Sequence, residues 1–156
     1  MGYTHSWYRV AAFPVDPWAA FVEDAKAIVS EVSRRGIALA DEYGDEGTAP
    51  VVGGIIVRFN GMGPAAHESF RMERFFCGPP SRVRHDLFFD WCKTQRKPYD
   101  LAVTALLVAA KRRFGSLIVV QSDGGETEWV PARALCRSIL GAGADVAVPD
   151  PPLKVS

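Results

Sequence analysis

Ten consecutive residues, Leu101 to Ala110, are apolar except for Thr104. Pro98 stands just ahead of them, and Lys111-Arg112-Arg113 and then Gly115 follow. Proline pre-sets the backbone of a first helical turn, cations complement the negative end of a helix dipole, and glycine accepts the conformation that ends a helix. The stretch therefore predicts a helix from about Pro98 to Phe114 that is apolar nearly all round. Such a helix has no face to give to water, so the rest of the chain must cover it.

The flanking pattern supplies that cover. His5 to Val10 alternates as a strand, and Asp16-Pro17 reads as an N-cap followed by proline at the first helical position. A first helix then runs from about Pro17 to Arg35, with Phe21, Ala25, Ile28, Val29 and Val32 as its buried stripe and Gly36 as its stop. Ile37 to Ala40 suits a short strand, and Asp41 to Pro50 is an acidic, glycine-bearing loop. Val51 to Phe59 and Glu68 to Phe76 are β-rich runs expected to pair antiparallel, separated by a loop that opens on the turn signal Asn60-Gly61.

Cys77 to His85, with Gly78-Pro79-Pro80, reads as a long irregular connection, and Asp86 to Trp91 as a short strand or aromatic turn. After the central helix come a strand at Leu117 to Gln121, a turn at Asp123-Gly124-Gly125, and a third helix from about Val130 to Leu140, with Thr127 or Glu128 near its start. The order is β-α-β-β-β-α-β-α, an α+β class. The expectation is one domain over residues 1–141, with an antiparallel or mixed sheet of four to five strands and three helices. Residues 142–156, rich in Ala, Gly and Pro, form an extended or disordered tail.

A chain of 156 residues can bury one core without disulfides or metals. Its formal net charge is zero, so nucleic acid is not an expected partner. Cys77, Cys92 and Cys136 match no metal spacing and no disulfide framework, which fits a reducing cytoplasm. No apolar run approaches the roughly 20 residues of a membrane span. The opening Met1-Gly2-Tyr3-Thr4-His5-Ser6 fits the loose N-myristoylation pattern, but no polybasic second anchor follows it. A soluble cytoplasmic protein is the expected setting.

Charge is uneven along the chain. Between Arg71 and Lys97 seven basic residues face three acids. The densest part, Cys92-Lys93-Thr94-Gln95-Arg96-Lys97-Pro98-Tyr99-Asp100, runs straight into the central helix. Arg96 offers a planar fork, Lys93 and Lys97 mobile charges, and Thr94 a hydroxyl, all beside a helix start that favours anions. Lys93, Thr94, Arg96, Lys97 and Tyr99 are thus candidate ligands for a small anionic or phosphorylated compound; the competing reading is a solvated charge run. His67, Glu68 and Asp100 are candidate acid/base groups of a phosphoester hydrolase. His67-x-Ser69 matches half the signature of two-histidine phosphoesterases, and no second copy exists, because His5 precedes Trp7 and His85 precedes Leu87. Cys92 reads as a nucleophile beside Lys93 or as core among Phe88, Phe89 and Trp91. His5, His67, His85, Glu68 and Asp86 show no metal-ligand spacing, and no cofactor is indicated.

Two segments carry a resemblance. The opening Met1-Gly2-Tyr3-Thr4-His5-Ser6-Trp7 and the segment Cys92 to Asp100 resemble a family of small bacterial and phage proteins without an established activity. Its members begin Met-Gly-Tyr-Thr-His-x-Trp and carry Cys-Lys-Thr-x-Arg-Lys-Pro-Tyr-Asp. Asn60-Gly61 and His67-Glu68-Ser69-Phe70 are similar to its middle segment. The resemblance spans most of the chain up to Gln121 and implies homology without implying a reaction; the family's spread into phages suggests nucleotide-like ligands. Three functions stay open: a module that binds a small anion, a phosphoester hydrolase, and a structural or partner-binding protein without catalysis whose loop Cys77 to His85 contacts another chain; a homo-oligomer or a protein partner fits the last.

Overall fold

The computed structural model describes residues 2–78, 83–84, 86–141 and 146–151. Helix α2 (Asp100–Phe114) takes the position its composition demands, with every residue from Ala102 to Ala110 buried. Helices α1 (Val15–Arg34) and α3 (Glu126–Leu140) pack on it, and strand β8 (Ile118–Ser122) lies against it. Ala102, Ala105, Ala109 and Ala110 offer small side chains that let neighbouring backbones approach closely. Phe21, Ala25, Ile28 and Val32 of α1 are buried in the stripe expected of them. A bidentate pair ties α1 to α2, with Arg113 donating to the two carboxylate oxygens of Asp24 at 2.7 and 3.0 Å.

Strand β1 (Thr4–Arg9) is central in one sheet, whose order is β6 (Val83–Arg84), β7 (Leu87–Lys93), β1, β8. Both neighbours run antiparallel to β1, with Thr4 opposite Lys93, and His5 opposite Cys92 on one side and Ser122 on the other. Alternation buries Tyr3, His5, Trp7 and Arg9. In the second sheet β4 (Ile56–Gly61) pairs antiparallel with β2 (Leu39–Ala40), β3 (Val51–Val52) and β5 (Phe70–Glu73). The α+β class, the three helices and the pairing of the two β-rich runs stand as expected. The strands divide between two sheets because the chain after β1 leaves β7 and bonds the segment after β5. Phe13 N–H donates to Arg74 at 3.0 Å and Phe76 N–H to Ala11 at 2.8 Å. Arg9, 1% exposed, cross-braces the junction by donating to the carbonyls of Glu73 and Arg74 and stacking on Phe13 at 4.1 Å.

Several local expectations change. Helix α1 begins at Val15 with Pro14 as its cap residue, and Asp16 lies within the first turn, where its charge still favours the dipole. Helix α3 begins four residues early, at Glu126. Its polar first turn hid it from hydrophobic periodicity, and Pro131 sits near enough to the start to forfeit only one backbone bond. Asn60-Gly61 makes no turn but ends β4. The Asn60 amide instead donates to the carbonyls of Glu42 and His67 and accepts from the N–H groups of Gly61 and His67, so its full capacity is spent on fixing a loop. The reversal falls to a single 3-10 turn at Gly63–Ala65.

The predicted irregular connection contains β6, and the aromatic segment after it is the full strand β7, reaching Lys93. Residues 79–82 and His85 of that connection lie outside the described residues. In the C-terminal segment Val148 is buried and Asp150 locks onto β8, its N–H donating to Val120 at 2.7 Å and its carboxylate accepting from Val120 N–H at 2.8 Å. Residues 142–145 and 152–156 lie outside the described residues. Among the described residues no helix is long and apolar enough to cross a membrane.

Candidate functional site

The register of β1 against β7 carries the Tyr3-Thr4-His5 segment onto the basic segment. Tyr3 extends the ladder past the strand, its carbonyl accepting from Thr94 N–H at 3.0 Å. Thr94 to Lys97 then reverses in a tight turn, closed by Lys97 N–H on the Thr94 carbonyl at 3.1 Å. Its central residues Gln95 and Arg96 both sit at positive φ, 53° and 58°. That conformation is normally taken by Asn-Gly, so here two β-carbon-bearing residues are strained.

The turn holds the exposed Arg96 guanidinium over the Tyr3 ring, 4.0 Å from its centroid. Arg96 donates to Glu128 Oε1 at 3.0 Å, and the Tyr3 hydroxyl donates to Glu128 Oε2 at 2.9 Å. These two bonds draw the Glu128 carboxyl below its ordinary range. Burial, then the Glu128 bond, raises the Tyr3 phenol far above its own. The clasp closes on Gly124 so tightly that a β-carbon there would lie 2.1 Å from the Tyr3 hydroxyl oxygen. Only glycine fits.

Beneath the clasp lies a chain of hydrogen bonds drawn from three elements. Ser122 Oγ, at the end of β8, is 2.8 Å from His5 Nδ1. His5 Nε2 is 2.7 Å from Asp100 Oδ1, in the first turn of α2, and Thr94 Oγ1 donates to the same oxygen at 2.6 Å. A carboxylate only accepts, so in the neutral imidazole the proton sits on Nε2 and Nδ1 accepts from the Ser122 hydroxyl. Ser122 Oγ in turn accepts from Gly124 N–H at 2.9 Å. His5 is fully buried, with the rings of Tyr3 and Trp129 edge-on at 5.0 and 5.3 Å, whereas Asp100 and Ser122 are partly exposed.

The predicted ligand set disperses around this relay. Thr94 is buried on Asp100. Tyr99 is buried and donates to the Glu68 carbonyl at 2.6 Å, its phenol pushed far up by burial. Lys97 turns to the Pro64 carbonyl at 2.7 Å, and Lys93 lies along Gly2. Arg96 remains as the exposed cation of the set. Backbone N–H groups at the start of α2 are already occupied, with Asp100 on Lys97 at 2.8 Å and Ala102 on Tyr99 at 3.0 Å.

Of the acid/base candidates, Asp100 joins the relay. Glu68 accepts from Lys93 N–H at 2.8 Å and braces the end of β7, and His67 is exposed outside the relay. Cys92 is fully buried, and burial holds its thiol well above the ordinary range, so it packs as core. Among the described residues no group of three metal-ligating side chains converges.

Sequence reasoning missed Tyr3, His5, Ser122 and Glu128. The inward parity of Tyr3 and His5 on the first strand was a visible signal. Their partners 117 and 125 residues away had none. Comparison with protein-family models, with curated proteins and with solved structures gave no match.

Proposed function

We propose that the chain binds a small anion, phosphate- or carboxylate-bearing, at the corner of Tyr3 and Arg96. The observation that carries this reading is the turn at Thr94–Lys97, strained at two non-glycine positions, which presents Arg96 to solvent. Each such residue costs about 1 kcal/mol or more, and strain of this kind collects where a side chain must be aimed. The Glu128 carboxylate on Arg96 is an internal stand-in for the ligand, because it meets the guanidinium as an oxyanion would. A ligand with two oxygens on one centre takes both prongs of the fork and displaces a single-bonded carboxylate. Lys93, half-buried, lies along Gly2 next to Tyr3, whereas Lys97 is engaged with the Pro64 carbonyl.

A thermal-shift titration tests it, using inorganic phosphate, succinate, adenosine monophosphate and cyclic adenosine monophosphate. A ligand at about 100 times its dissociation constant adds ~2.7 kcal/mol, a rise of several degrees. The expected result is a rise in the wild type that disappears in Arg96→Ala. No rise with any probe, or an equal rise in Arg96→Ala, removes the reading.

A further inference from the structure

We infer that the corner is also hydrolytic, with Ser122 as nucleophile and His5 as general base, acting on carboxylic esters that bear a second, anionic group. The inference rests on the anion-binding reading only for that second group; the chemistry rests on the relay. Nucleophilic catalysis by serine needs three things in a row: a hydroxyl, an imidazole nitrogen with a free lone pair, and a group fixing the other ring nitrogen as donor. Ser122 Oγ, His5 and Asp100 supply them at 2.8 and 2.7 Å. The ring nitrogens exchange their more common duties, since Nδ1 faces the serine and Nε2 the carboxylate. The proton logic is unchanged.

Gly124 N–H on Ser122 Oγ stabilises the developing alkoxide. The chain turns there into the 15-residue helix α3, which begins four residues after Ser122; Glu128 N–H is taken by the Gly125 carbonyl at 3.0 Å, and the N–H groups of its first turn before Glu128 have no carbonyl four residues back within the helix. They suit the oxyanion of a tetrahedral intermediate. Three carboxylates belong to this corner, Asp100 on His5, Asp123 next to Ser122 in the chain and on Thr4 N–H, and Glu128 on Arg96, and they outnumber the Arg96 guanidinium. Attack on a phosphate ester would develop charge that a single cation cannot neutralise, so the balance favours a carboxylic ester.

In the reaction Ser122 Oγ bonds to the ester carbonyl carbon while its proton passes to His5 Nδ1. The bond from that carbon to the alcohol oxygen breaks, and the departing alkoxide takes the proton from Nδ1. Water then adds to the acyl-serine carbon, giving its proton to Nδ1. The carbon–Oγ bond breaks, Oγ recovers that proton, and a carboxylic acid has been formed beside the alcohol. The Tyr3–Glu128–Arg96 clasp stands over the relay. An anion that draws Arg96 from Glu128 loosens the clasp, which couples recognition to access.

Diisopropyl fluorophosphate is neutral, needs no Arg96, and traps an activated serine by losing fluoride. Peptide mass spectrometry of the labelled wild-type protein locates the adduct, and the expected position is Ser122. Ser122→Ala abolishes the adduct, and His5→Gln slows it at least about 100-fold. Asp100 acts as a positioning residue. In Asp100→Asn the amide donates to Nε2, so the His5 proton moves to Nδ1, visible in the imidazole nitrogen shifts by NMR, and labelling falls at least about 100-fold. Hydrolysis of 4-nitrophenyl succinate monoester follows the same order. No adduct on folded wild-type protein, or an adduct at another residue, overturns the inference without any variant needing to fold. The anion-dependent thermal shift is a separate readout, so either reading can fail alone.

Discussion

Asp90 lies on β7 opposite Trp7 of β1, and its carboxyl accepts from Trp91 N–H at 2.8 Å. Burial pushes its pKa up to about 6, and Glu73 adds to the rise against the pull of Arg9 and Arg71. A folded-state value above the unfolded one means the native state holds the proton more tightly. Stability is then greatest below the unfolded value of about 4 and falls as pH rises through 6. A difference of about two pH units corresponds to about 3 kcal/mol, and partial exposure reduces this to about 2 kcal/mol.

Asp90→Asn keeps the acceptor for Trp91 N–H and removes the ionisation. Urea unfolding of both proteins between pH 4.5 and 8 is the assay, because the difference between them cancels every other carboxylate. The variant should be more stable by about 2 kcal/mol at pH 7 and above, with the gap closing toward pH 4.5. A gap that is independent of pH, or a variant less stable at pH 7, refutes the assignment of a burial-raised carboxyl to Asp90.

Two further substitutions test the scaffold and the clasp. Arg9→Met removes a buried cation whose donors satisfy the Glu73 and Arg74 carbonyls, and should lower stability by about 2–4 kcal/mol in denaturant unfolding. Gly124→Ala forces a β-carbon against the Tyr3 hydroxyl and should cost about 1–3 kcal/mol. Adding Tyr3→Phe removes the clashing oxygen, so the double mutant should recover part of that loss, a coupling that a thermal-melt cycle measures.

The central helix was legible because burial is written into its composition: a segment with no polar face has one place to go. The first strand and the helix after it were legible for the same reason, since periods of two and 3.6 residues state which face is covered. The start of helix α3 and the role of Asn60-Gly61 were misjudged because local pattern did not show either. The α3 start is polar, and Asn60 makes four side-chain bonds, one to Glu42, one to Gly61 and two to His67, in place of a turn. The basic segment was visible as charge, but charge in a sequence has no direction. The fold sent Lys97 to Pro64, Thr94 to Asp100 and Arg96 to Glu128.

Of the relay, the sequence offered Asp100 as a candidate acid/base group and the inward parity of His5, but not their meeting with Ser122. His5, Asp100 and Ser122 belong to a strand, a helix start and a second strand, and their meeting depends on the register of β1 with β8 and on where α2 packs. Periodicity fixes the face a residue turns to its neighbours. Which neighbours stand there is settled only when the sheet closes and the helices dock, because pairing energies between distant segments leave no local trace.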